Sequence, residues 1–207
     1  VTIDDKLNFK THLSTTCKKT SAQVKTLMRL PKSLSMPSKR KIYESFIRSN
    51  FNYCNTVWHM CSKSDTKKVE IIQARSLRFI FSDYVSSYEC LLMKAKSETL
   101  YVKRCKSLIK LVFDVVNRNC PDFLFDMYSE HNTAYNLRDN NMLELPKFNT
   151  VRYGKNSLRY EGAKLYNELP NEIKSLNDRD SFMCALKKWG GPTCICGSCM
   201  LCSLKSL

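Results

Sequence analysis

Between Thr99 and Asn117 the apolar side chains fall at Val102, Cys105, Leu108, Ile109, Val112, Val115 and Val116. Steps of three and four line one face of an α-helix; a strand would need a period of two. The same spacing recurs upstream. Phe9, Leu13, Cys17, Val24, Leu27 and Met28 form a stripe over Phe9 to Leu30 that Pro31 closes. Pro37 and Ser38 open a second helix with Ile42, Phe46 and Ile47, running towards Phe51. A third carries Val69, Ile72, Leu77 and Ile80 on one face, with Asp65 as its expected N-cap. A short helix follows Ser87, and two more are expected over Leu158 to Asn167 and Ser181 to Trp189. Only 5 Gly and 6 Pro stand among 207 residues, too few turn formers for an all-β chain.

Three stretches break this pattern. Val1 to Asp5 reads as a short strand. His131 to Asn141 is polar and rich in Asn, as a loop is, and Met142 to Tyr153 alternates as an extended segment, with Gly154 as a break. Gly190-Gly191-Pro192 then sets off a Cys-rich tail. The expected fold class is mainly α: a basic helical bundle followed by a smaller α+β C-terminal region with a short extended segment. Apolar residues make up 43% of the chain, enough for a core. No run approaches the roughly 18 apolar residues of a membrane span, and Val1 to Lys10 lack the apolar stretch of a secretion signal. Eleven cysteines cannot all pair within one chain, and there is no Asn-x-Ser/Thr acceptor. These features predict an intracellular protein of nucleus or cytoplasm with free thiols, neither secreted nor partnered with a membrane. A start at Val1 in a strand-like stretch suggests a piece of a longer protein.

The formal net charge of +15 is unevenly placed. Residues 1–120 hold 23 Lys and Arg against 9 Asp and Glu, a net of +14; residues 121–207 hold 11 against 10, a net of +1. Such an excess attracts polyanions and gains by releasing their counterions. Its candidates are Lys18, Lys19, Lys25, Arg29, Lys32, Lys39, Arg40, Lys41 and Arg48 from the first two helices and the turn between them, and Lys67, Lys68, Arg75 and Arg78 from the third. Most can lie off the apolar stripes, so several helices could share one cationic surface. Serine, threonine and asparagine between them can donate to phosphate oxygens. A surface of this kind tracks a backbone; it does not read bases. The bland alternative is a solvated face of a basic protein.

Other constellations carry less. Asp4-Asp5 follows apolar residues, as a pair of Mg²⁺ ligands in a polymerase does, but Lys6-Leu7-Asn8-Phe9 behind it looks like entry into a helix, where acids are at home. Cys194, Cys196, Cys199 and Cys202 offer four soft ligands within nine residues, a candidate Zn²⁺ site. Ordinary four-cysteine sites bring two pairs from separate turns, so partial ligation, ligation between chains and an unliganded tail stay open. His12, His59 and His131 are scattered, no Gly-x-Ser-x-Gly exists, and no Gly-rich phosphate loop is present.

Several strings stand in a telling order. They are Val1-Thr-Ile-Asp-Asp-Lys-Leu-Asn-Phe-Lys-Thr-His, Tyr43-Glu-Ser-Phe-Ile-Arg-Ser-Asn-Phe-Asn-Tyr-Cys with Val57-Trp58, and Lys68-Val-Glu-Ile-Ile-Gln-Ala-Arg-Ser-Leu-Arg-Phe-Ile. Tyr135-Asn-Leu-Arg, the run from Arg152 to Pro170, and Phe182 to Trp189 follow. Together they resemble the region after the polymerase palm in non-LTR, LINE-type (jockey-like) retrotransposon reverse transcriptases. The resemblance implies a strand leaving the palm at residues 1–7, a thumb-like helical bundle over 8–85, a C-terminal region over 86–190 and the Cys-rich tail at 191–207. It implies a grip on RNA and on RNA–DNA or DNA duplex by the phosphate backbone, with the palm and fingers of the same polyprotein as partners. The catalytic aspartates and their Mg²⁺ would belong to the palm upstream; Asp4-Asp5 lies past them. The chain alone is therefore expected to be non-catalytic, with no cofactor of its own beyond the candidate Zn²⁺. Two other readings remain: a helical module for an acidic protein partner, and a metal-binding tail.

Overall fold

The structure, a computed structural model, describes residues 1–4, 8–31, 33–129 and 142–192. The tail cysteines, Asp5, Lys32, Tyr135-Asn-Leu-Arg and His131 to Asn141 lie outside the described residues. The chain divides into two compact units, Val1–Lys103 and Arg104–Pro192.

The first unit is a helical bundle. Helices α1 (Lys10–Leu27) and α2 (Met36–Ile42) come first; α2 continues through a π-helical stretch, Tyr43–Arg48, into α3 (Ser49–Asn52). Helices α4 (Lys63–Phe81) and α5 (Tyr88–Ala95) follow, and α6 (Leu100–Val116) begins here. Their stripes meet in one core that includes Leu13, Val24, Ile47, Phe51, Trp58 and Leu77, all nearly inaccessible. Helix α4 is its centre, buried at Val69, Glu70, Ile72, Gln73, Ala74 and Ser76 in consecutive turns.

The caps follow sequence logic with one displacement. Ser35 and Ser87 cap α2 and α5 through their hydroxyls. Helix α4 starts earlier than the expected cap at Asp65: Ser62 is the cap, its Oγ accepting from Asp65 N at 3.1 Å and donating to Asp65 Oδ2 at 2.7 Å. Asp65 is the third residue of a capping box, where a carboxylate also meets the positive helix end.

Glu70 is fully buried. Its carboxylate accepts from Leu100 N at 3.2 Å, Tyr101 N at 2.7 Å and the Tyr88 hydroxyl at 2.5 Å. It thus caps α6 from another helix, answering amides that have no partner within α6. Burial, then the neighbouring carboxylate, pushes the Tyr88 phenol far above its ordinary range, so Tyr88 stays a donor.

In the second unit α6 is followed by a 3₁₀ turn, Asp122–Met127, and by α7 (Leu158–Asn167), α8 (Asn171–Lys174) and α9 (Arg179–Lys188). Phe113 stacks on Phe182 with ring centres 3.9 Å apart. Arg179 holds Asp114 with two bonds of 2.9 and 3.1 Å. Helix α7 passes so close to Tyr128 at Gly162 that a Cβ there would run into its hydroxyl and crowd Val112.

The mainly α class is as expected; the α+β character of the C-terminal part is not. Among the described residues no strand forms. Near Met142 the chain is held by one backbone bond, Glu144 N donating to Ser129 O at 2.8 Å, and by a side chain: Asn167 Oδ1 accepts from Leu143 N at 2.8 Å, and its Nδ2 donates to Leu143 O at 2.9 Å. An amide side chain thereby imitates a strand partner, and Val151–Lys155 coils into a π-helical turn. Val1 to Asp4 also forms no strand, lacking any neighbour to pair with among the described residues; Thr2 N donates to His12 Nδ1 at 3.4 Å.

Replacing Glu70 with Ala should destabilise the fold by about 3 kcal/mol, because three donors, two of them buried, lose their acceptor. Glu70→Gln, which keeps an acceptor oxygen, should lose less. Urea midpoints read both; an Ala variant as stable as the parent would refute the capping role.

Candidate nucleic-acid interface

Helices α1 and α4 lie side by side and leave a groove between them. Two cavities, of about 590 and 390 Å³, follow its length and share Ser21, Lys25, Ile72 and Arg75. The α1 wall is Ser14, Lys18, Ser21, Lys25 and Met28, each three or four residues after the last. The α4 wall is Lys68, Ile71, Arg75 and Arg78, spaced likewise, with Ile72 beside them. Helical period alone explains both rows. Lys18 and Lys25 are two turns apart on one wall, Lys68 and Arg75 two turns apart on the other, a rise of roughly 10.5 Å in each case.

The floor is apolar, with Leu13 and Val24 buried in the core and Cys17 packed against it. The rim is cationic. Asp65 is the one acid that lines the groove, and Lys68 engages it at 2.8 Å. The hydrogen bonds from Lys68 and Ser62 hold the Asp65 carboxyl below its ordinary value although burial opposes them. Lys18, Lys25, Arg75 and Arg78 have no acidic partner at ion-pair distance among the described residues. The Arg78 Nε is buried without a hydrogen-bond partner there. Residues 1–103 as a whole hold 19 Lys and Arg against 8 Asp and Glu.

The other expected cations are placed differently. Lys19, Arg29, Lys41 and Lys67 are exposed outside the groove. Lys39 is buried: its ammonium lies 5.2 Å from the centre of the Phe79 ring and 3.4 Å from Ser82 Oγ, at the C-terminus of α4. Arg40 is exposed but donates to Ala95 O at 3.0 Å, closing the end of α5, and reaches Glu44 at 3.5 Å. Arg48 reaches the same Glu44 at 3.5 Å. The Lys39-Arg40-Lys41 triplet is therefore mostly structural, and only Lys41 is unengaged.

Sequence reasoning missed Tyr84. It is 62% exposed and lines the smaller cavity beside Arg78. Asp83 builds the turn that carries it, accepting from Val85 N at 3.2 Å, Ser86 N at 3.0 Å and Ser86 Oγ at 2.7 Å, with Lys94 as a further ion-pair partner. These donors, Lys94 foremost, hold the Asp83 carboxyl far below the usual carboxylate range.

Among the described residues no other constellation assembles. His59 is buried and stacks on Tyr101 at 5.7 Å, and the Cys61 thiol lies 3.2 Å from the Thr66 hydroxyl. Asp4 accepts from Asn8 N at 2.9 Å, as a helix-entry residue does. Among the described residues no cluster of three metal-ligating side chains occurs, and no helix is long and apolar enough to cross a membrane. No family model, curated protein or solved structure matches the chain.

Cys17 gives a handle on the groove. Burial first, then Asp65, pushes its thiol from 9.0 to about 11. A raised value means the unfolded chain loses its proton first as pH rises. The contribution is whole below pH 9 and disappears towards pH 11. The thermal midpoint of the parent should therefore fall more between those pH values than that of Cys17→Ala; equal falls would contradict it.

Proposed function

We propose that this chain grips nucleic acid by its phosphate backbone through the α1–α4 groove, as a non-catalytic, thumb-like part of a LINE-type reverse transcriptase. The observation that carries the binding reading is the pair of cation rows, Lys18 and Lys25 opposite Arg75 and Arg78, with one acid between them and that acid engaged by Lys68. Ser14 and Ser21 on the same wall supply neutral donors of the kind that bind phosphate oxygens. The reverse-transcriptase assignment rests on the ordered strings alone, and a helical, basic N-terminal half agrees with it. Polymerisation, Mg²⁺ and the apposed palm and fingers are assigned to the rest of such an enzyme. Nucleus and cytoplasm, where RNA templates occur, are the proposed compartments.

Fluorescence anisotropy with an RNA–DNA duplex at two salt concentrations tests the reading. Affinity should be independent of sequence and fall steeply with salt. Replacing Lys18, Lys25 and Arg75 together with Ala should weaken binding to every sequence alike and lower the log–log salt slope by about 2–3. Replacing Lys155, Lys187 and Lys188 removes the same charge from the other unit and should do much less. Equal losses would reduce the effect to net charge, and no binding at low salt would end the proposal. Displacement by an acidic peptide but not by duplex would assign the groove to an acidic protein.

A further inference from the structure

The smaller cavity is unlike the rest of the groove. Its floor is Val24, Met28 and Ile72, its rim holds Lys25, Arg75 and Arg78, and the Tyr84 ring stands exposed at its edge. A phosphate backbone lying across two helices needs cations but no apolar hollow and no aromatic ring. At about 390 Å³ the hollow is within the size of small-ligand pockets.

An apolar floor, an aromatic edge and cations within one turn match an unstacked nucleotide, whose base needs an apolar or π surface and whose phosphate needs positive charge. Two details favour an occupant over an ordinary surface dip. Arg78 lines the hollow, and its Nε is buried with no hydrogen-bond partner among the described residues. The turn that carries Tyr84 is fixed by three hydrogen bonds to Asp83 and by Lys94, so the ring is held by a rigid loop. Ser82, with φ of 53°, closes α4 in the left-handed region, and the turn that follows lets Tyr84 line the cavity with Arg78.

We propose that this pocket receives an unpaired nucleotide at the end of the bound duplex, with its base stacked on Tyr84 and its phosphate held by Lys25, Arg75 and Arg78. The proposal rests on the groove being a nucleic-acid surface and adds a substrate class to it: duplex with a single-stranded extension. A free acidic peptide satisfies the cations but leaves Tyr84 and the apolar floor unused.

The test compares, for the full chain, a blunt RNA–DNA duplex with the same duplex carrying a short unpaired extension. The extension should raise affinity by roughly 5- to 100-fold, the range of one aromatic–base stack. In Tyr84→Ala the blunt and extended probes should bind alike, whereas Tyr84→Phe should keep the gain. Tyr84 is largely exposed, so these variants should fold, and matching thermal midpoints would check that. If the blunt duplex binds and the extension adds nothing, or adds as much in Tyr84→Ala, the pocket is refuted while the backbone grip stands. If only the extended probe binds, the pocket stands and the duplex grip falls. If neither probe binds, both fall.

Discussion

A carboxylate buried without exposure has to be answered by donors, or the fold would not tolerate it. Glu70 is answered by two helix-end amides and a tyrosine hydroxyl, drawn from α6 and α5. That single group ties three helices and, together with the buried stripe of Val69, Ile72, Leu77 and Ile80, sets which face of α4 turns inward. Rotation is what matters for the groove. With 3.6 residues per turn, turning Glu70 inward leaves Lys68, Ile71, Arg75 and Arg78 on the one strip of α4 that the core does not claim. The cationic wall is in this sense a consequence of the buried anion.

Opposed cation rows carry a cost of their own. Four side chains with no acidic partner repel one another, and screening by salt only moderates this. The fold tolerates the repulsion because Lys18, Lys25 and Arg75 are exposed, with their heads at the rim in water, while their stems can cover the apolar floor. Asp65 relieves one end of the groove through Lys68, and the other end, near Arg78 and Tyr84, has no such relief. An incoming polyanion would gain most at that second end, which is also where the apolar hollow lies.

The helices were legible because their signals are local. The stripe at Val102, Cys105, Leu108 and Val112 needs only neighbours three and four residues away, and the short helix after Ser87 was legible in the same way. The cap at Ser62 was misplaced to Asp65 because a capping box contains two good candidates three residues apart. The extended segment near Met142 shows alternation without a strand: its local pattern was real, but a strand also needs a ladder, and here the chain makes one backbone bond to Ser129 with Asn167 adding a side chain. Partners distant in sequence left no mark at all. Nothing around Glu70 announces Leu100, and nothing around Lys39 announces Phe79 or Ser82.

The charge asymmetry shows the limit from the other side. It located the cations in the right half of the chain but could not sort them, because a buried Lys39 and a rim Lys25 read alike in a sequence. The sorting principle is which helix end or ring lies within reach. Lys39 and Arg40 sit where the C-termini of α4 and α5 arrive with unsatisfied carbonyls or negative dipole, so both are drawn into structure. Lys18 and Arg75 lie mid-helix, where every backbone carbonyl is already bonded, and Lys25, in the last turn of α1, keeps its side chain exposed. No internal group competes for them, and the remaining partner for such side chains is solvent or an external anion.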